Sequence, residues 1–255
     1  MGKLKLGAQL YTVREYMKTE KDFAETIKKI VGIGYKYVQV SGIGDVSPQA
    51  IKTVTQDNGI KVILTHTSPA RIKNETQKVI EEHSMFGCDA IGVGGLFDAP
   101  HTEDGFKKFA DDFGKAVELI KESGKVFLYH NHRYEFERYN GKTGIDILLE
   151  NTDKEAFKLT FDTYWAQAGG IDPADFIKEN SDRIFVTHLK DMAVIGDKPV
   201  MTEIMTGNMN FKRILKVSEK VDIIWHFVEQ DETRIDCFES MKISHDNLMS
   251  TGMFE

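Results

Sequence analysis

Gly34-Tyr35-Lys36-Tyr37-Val38-Gln39-Val40 and Gly59-Ile60-Lys61-Val62-Ile63-Leu64-Thr65 share one reading: a helix stops at glycine, a tight loop follows, and a strand begins. The same rhythm of short β-branched or aromatic runs and longer amphipathic stretches continues through the chain. It predicts strands over Leu4–Tyr11, Tyr37–Ser41, Val62–His66, Ala90–Gly94, Val126–His132, Lys158–Asp162, Ile184–Lys190 and Ile223–Glu229. Helices are expected at Lys21–Ile33, Pro48–Asn58, Arg71–Phe86, Gly105–Ser123, Gly144–Asn151, Pro173–Glu179, Phe211–Glu219 and Cys237–Ser250. Eight strands alternating with eight helices over 255 residues predict an α/β fold, a single (β/α)8 TIM barrel spanning 1–255 as one domain. No GxGxxG motif follows the first strand, so a doubly wound dinucleotide-binding sheet lacks support.

Composition narrows the function classes. With 33 Lys plus Arg against 40 Asp plus Glu, the formal charge of −7 argues against a nucleic-acid partner that needs a basic groove. No apolar run approaches the roughly 18 residues of a membrane span, and no signal-peptide stretch precedes the first strand. A cytoplasmic protein with no membrane partner is expected. Cys88 and Cys237 form no CxxC pair and read as reduced, buried thiols. Oligomeric state stays open, a homo-oligomer included.

Barrel enzymes carry their chemistry at the C-terminal ends of the strands. Four of the eight histidines fall there: His66, His130, His132 and His188, joined by Asp162 and Glu229, with Gln9 and Tyr11 closing the first strand. Side-chain alternation pairs His130 with His132, His188 with Lys190, and Glu229 with Asp231, while His226 has the opposite parity and faces a helix. His83 lies beside Glu81 and Glu82 and reads as a solvated surface residue; His101 and His245 lack supporting neighbours. Buried charges are costly unless paired or bound to a metal, so several imidazoles and two carboxylates converging on one barrel end point to a metal site. That donor set suits one divalent ion such as Mn, Co, Zn or Fe, and Mg less well.

Read in order, these strand ends resemble the xylose isomerase-like TIM-barrel family, also called the sugar phosphate isomerase/epimerase family. The resemblance rests on Gly-Ala-Gln-Leu-Tyr-Thr-Val-Arg (7–14), Tyr-His-Asn-His-Arg-Tyr-Glu-Phe (129–136), Asp-Thr-Tyr-Trp (162–165), His-Leu-Lys-Asp (188–191), the Gly207 loop and Val-Glu-Gln-Asp (228–231). It implies a metal held by Glu, Asp, His and Glu from strands 5 to 8. Asp162, His188 and Glu229 carry over directly. Many relatives read Glu-Asn-His where this chain has His130-Asn131-His132, so the first ligand is His130 or Glu135. The two-glutamate mechanism of the epimerase branch then lacks its strand-5 member. Trp165 replaces a histidine common to epimerases and DNA-repair endonucleases, which argues against phosphodiester cleavage.

The chemistry implied is proton movement beside a carbonyl, through a metal-stabilised enediolate. His132 is the first candidate base, because imidazole titrates near neutrality unaided; Glu135 and Glu229 are the alternatives. Lys190 is placed to stabilise an oxyanion, or is simply neutralised by Asp191 or a neighbouring Glu. Trp165, Tyr11 and Tyr134 would wall the apolar face of a sugar, and His66 would bond a substrate hydroxyl, with Gln9 beside them. The expected partner is a small sugar or polyol, a keto-sugar or its phosphate, with the unphosphorylated form slightly preferred because no phosphate cradle stands out. The expected activity is sugar isomerisation or epimerisation. The alternatives are a lyase resembling inosose dehydratase or the C-glycoside-cleaving relatives, and a carbohydrate-binding barrel without turnover.

Overall fold

The computed structural model describes residues 3–255. Eight parallel strands close into a ring. Lys5–Gln9 pairs with Tyr37–Val40 on one side and Trp225–Val228 on the other, and Lys61–His66, Ala90–Val93, Val126–His130, Phe157–Asp162 and Ile184–Leu189 complete the circle in chain order. The fold is a (β/α)8 barrel. Near its N-terminal edge the chain ends meet: Leu4 donates to the Met253 carbonyl (2.9 Å) and accepts from Glu255 (3.1 Å).

Strand alternation builds the barrel interior in two layers. Leu64, Leu128, Val186 and Phe227, with Ala90, form an apolar plug. Each of the first four stands two residues before a polar group, namely His66, His130, His188 and Glu229, so the same faces carry a dry floor and a polar mouth. The Phe227 ring fills the space beside Gly7, where a Cβ would lie 2.2 Å from its Cε1. Helices cover the outside through apolar stripes, as in Glu103–Glu122, which buries Phe106, Phe109, Phe113, Val117 and Ile120. Threonines start several of them; Thr19 with Asp22 and Thr143 with Asp146 form reciprocal caps.

Four local departures follow from side-chain hydrogen bonding and backbone geometry. The first strand stops at Gln9, whose side chain accepts from the Tyr11 N–H and starts a 3-10 turn over Leu10–Tyr16. The fifth stops at His130, two residues early. The predicted helix Arg71–Phe86 breaks at Glu75 (φ −130°, ψ 33°) into Pro69–Asn74 and Thr76–Met85. Two stretches assigned to no helix or strand are ordered: the short helix Thr163–Ala168, capped by Asp162, and an antiparallel hairpin of Asp191–Ile195 with Lys198–Thr202. Both cysteines are free thiols; Cys88 is buried, but Cys237, at the start of the last helix, is only half-buried. No helix among the described residues is long and apolar enough to cross a membrane.

Candidate metal centre

His130, Asp162, His188 and Glu229, all buried, bring one ligand atom each to a common point at the C-terminal mouth. His130 Nε2 lies 3.4 Å from Asp162 Oδ2, and His188 Nδ1 lies 3.9 Å from that oxygen and 2.9 Å from Glu229 Oε2. Each donor is held from behind. The Gly94 carbonyl, 3.2 Å from His130 Nδ1, can only accept, so it takes that N–H and leaves Nε2 facing the cluster. Gln39 Oε1 does the same for His188 at Nε2 (2.6 Å). Asp162 divides its carboxylate: Oδ1 accepts from the Trp165 N–H (2.8 Å) to cap the following helix, and Oδ2 faces the cluster. The amide of Asn131 ties the Asp162 backbone to the fifth strand, accepting from its N–H at 2.9 Å.

This donor set fits a divalent ion. His188 Nδ1 approaches Glu229 Oε2 to 2.9 Å but makes no aligned hydrogen bond, and Oε2 is met by the Lys190 ammonium, so the imidazole nitrogen is the donor left facing the centre without a partner. Charge points the same way. The Lys190 ammonium, fully buried, sits 3.0 Å from Asp162 Oδ2, 2.9 Å from Glu229 Oε2 and 3.0 Å from Asp231 Oδ2. Three carboxylates against one ammonium leave two negative charges, the balance a divalent cation supplies. Burial pushes Asp162 and Glu229 up, but the ammonium and the adjacent imidazoles outweigh it and hold both carboxyls below their usual range. Burial disfavours the charged form of Lys190, yet its three carboxylates raise its pKa overall.

The remaining sequence candidates divide. His132 stays at the mouth although the strand has ended, its ring centroid 4.8 Å from that of His130 and 5.6 Å from Trp165. Burial, then the charges of His130 and Lys190, push its imidazole down to about 3, so its near-neutral titration does not survive folding. Glu135 lies outside the cluster. Its carboxylate accepts from the Tyr129 hydroxyl and the His132 N–H, both at 2.8 Å, and Tyr129 packs on Phe109 behind the sheet. Burial lifts that carboxyl to about 7, but both its oxygens are engaged away from the mouth. Trp165 stands near the Lys190 ammonium, 5.5 Å from its ring. Tyr11 and His66 line a cleft of 420 Å³ whose walls also include Phe97, His132, Glu229 and Asp231. Gln9 is buried at the first strand end with its amide nitrogen unpartnered.

Sequence reading missed Gln39, gave Asp231 only as the parity partner of Glu229, and misplaced His83. Gln39 and Asp231 grip His188 and Lys190; a polar residue inside an apolar strand was the only signal for Gln39. His83, read as solvated, is buried on the barrel's outer side. Its Nδ1 donates to the Val79 carbonyl (2.7 Å), and Nε2 meets the Thr65 hydroxyl (2.8 Å). Lys190 is neutralised by Asp162, Glu229 and Asp231, not by Asp191. Asp191 instead accepts from the backbone of Met192, Met205, Gly207 and Met209 and folds the Gly207 loop.

A model of the xylose isomerase-like TIM barrel family matches residues 27–224, and the chain belongs to that family. It is similar to a sugar phosphate isomerase/epimerase from Parabacteroides distasonis ATCC 8503, at 27% identity and a TM-score of 0.80, covering 97% of this chain and 98% of that one. A second structure of that description and organism shares the fold at 23% identity and a TM-score of 0.83, covering 100% and 96%. Over 91 residues the chain is 32% identical to an inosose dehydratase of Geobacillus kaustophilus (strain HTA426), spanning 36% of this chain and 29% of that relative's length.

Proposed function

We propose that this protein is a divalent-metal-dependent lyase of a keto-sugar or keto-polyol. It removes a proton from the carbon beside the carbonyl and expels a β-substituent such as water. The carrying observation is the buried His130, Asp162, His188 and Glu229 quartet, whose donor atoms face one point beside a cleft. An ion held there, Mn, Co, Zn or Fe in preference to Mg, supplies Lewis-acid polarisation of the substrate carbonyl. Lys190 holds positive charge beside that point and stabilises the developing oxyanion. His132, lining the cleft beside His130 and Trp165, accepts the carbon-bound proton and passes it to the departing β-hydroxyl, which leaves as water. Trp165 and Tyr11 wall the sugar, and His66 bonds one of its hydroxyls.

Elimination is preferred over epimerisation because Glu135 is engaged behind the strand, so two-carboxylate exchange across both faces of a substrate lacks one partner. The inosose dehydratase similarity supports the same choice. Sugar isomerisation or epimerisation is the second reading, favoured by the near full-length likeness to the Parabacteroides sugar phosphate isomerase/epimerase.

The test is metal analysis of dialysed protein, followed by incubation of the loaded protein in D2O with unphosphorylated keto-sugars and keto-polyols. Enone absorbance with loss of water supports the lyase, and deuterium incorporation without water loss supports the isomerase. Full metal occupancy in both the Asp162→Asn and Glu229→Gln proteins would overturn the site.

A further inference from the structure

We infer that Gln39 is a positioning residue for the metal centre: it decides which nitrogen of His188 faces the ion. This rests on the metal reading above. Gln39 lies in the second barrel strand, opposite Gln9 in the register, and is fully buried. Its Oε1, 2.6 Å from His188 Nε2, can only accept, so the imidazole proton resides on Nε2. In the neutral ring Nδ1 then carries a bare electron pair, and this is the atom 2.9 Å from Glu229 Oε2 that makes no hydrogen bond.

His130 is held comparably by the Gly94 carbonyl, but the two devices differ. A backbone carbonyl cannot exchange roles, whereas a side-chain amide can. Turning the Gln39 amide over would present its NH2 group to Nε2 and move the ring proton to Nδ1. That proton would close a hydrogen bond to Glu229, and two of the four donors would leave the centre together. With its oxygen forward, Gln39 keeps His188 a ligand; reversed, it makes His188 a hydrogen-bond donor.

Gln39→Met keeps the length of the side chain and cannot act as an amide, while Gln39→Glu presents only acceptors. Zn and Co affinities are measured by chelator competition, and the His188 ring nitrogens are followed by 15N NMR with and without Zn. The expected loss for Gln39→Met is about 10–100-fold in affinity, with Gln39→Glu retaining wild-type affinity or exceeding it. Nδ1 of metal-free wild type is expected to be unprotonated. Unchanged affinity in folded Gln39→Met, or Zn on Nε2 of His188, overturns the inference. Should Gln39→Met not fold, weakened binding by Gln39→Glu or a protonated Nδ1 in wild type overturns it equally. Wild type that binds neither ion refutes the metal reading itself, whereas binding that ignores Gln39 refutes only this inference.

Discussion

Lys190→Met is the most informative perturbation of the site. It removes an ammonium that stands 2.9–3.0 Å from three carboxylate oxygens and replaces it with an uncharged side chain of similar length. In the metal-free protein Asp162, Glu229 and Asp231 then face one another without a cation. Breaking a buried ion pair by removing one partner costs about 3–5 kcal/mol. For a chain of this size each kcal/mol moves Tm by about 2–4 °C, so the metal-free variant should melt roughly 6–20 °C below wild type. A divalent ion meets the opposite situation. In wild type its arrival is opposed by the ammonium, and in the variant it answers three unpaired carboxylates. The metal-induced rise in Tm should therefore be larger in Lys190→Met than in wild type. The assay is calorimetry on chelator-dialysed protein, repeated across a Mn or Zn titration, since stabilisation grows as RT ln(1 + [L]/Kd). Equal metal-free melting temperatures, or a smaller metal-induced rise in the variant, would refute the charge balance. The loaded variant should also lose turnover, as a structural counter-charge alone would not require.

His132→Ala should retain one divalent ion per chain and lose at least about 100-fold in turnover, the scale of general-base catalysis; loss of the ion instead would make His132 a ligand. His83 is neutral in the fold, with its pKa pushed to about 4 chiefly by burial, against about 6.5 in the unfolded chain. Its contribution is complete above pH 6.5 and is lost as pH falls toward 4, because the unfolded chain binds the proton first; the loss approaches about 3 kcal/mol. Urea unfolding of wild type and His83→Gln between pH 7 and 5 checks this, and identical slopes would refute it. Gly7→Ala places a Cβ 2.2 Å from the Phe227 ring and should cost about 1–3 kcal/mol by overpacking the barrel floor, read as a lower urea midpoint at unchanged m-value.

Much of the molecule is legible in the chain because its signals are local. Strand and helix alternation follows from residue periodicity, and Gly34 and Gly59 mark helix stops through a backbone with positive φ (124° and 63°). Period-two alternation ties Leu64 to His66 and Val186 to His188, so a polar mouth over an apolar floor is implied before any coordinates exist. The fifth strand shows where this reasoning loses its hold. Parity predicts a common direction for His130 and His132 only while the strand lasts, and it ends between them. His132 still reaches the mouth, but the loop that carries it there also turns Glu135 behind the sheet onto Tyr129.

By itself the sequence determined the barrel, the order of its elements and the histidines and carboxylates at its strand ends, since each depends on neighbours a few residues away. Tertiary structure alone decided which groups share charge and protons. Lys190 faces Asp231 across 41 residues, His188 meets Gln39 across 149, and His83 is buried by packing against a strand 18 residues earlier. Burial and Coulomb energies depend on distance in space, which closing the barrel sets and which no periodicity along the chain encodes.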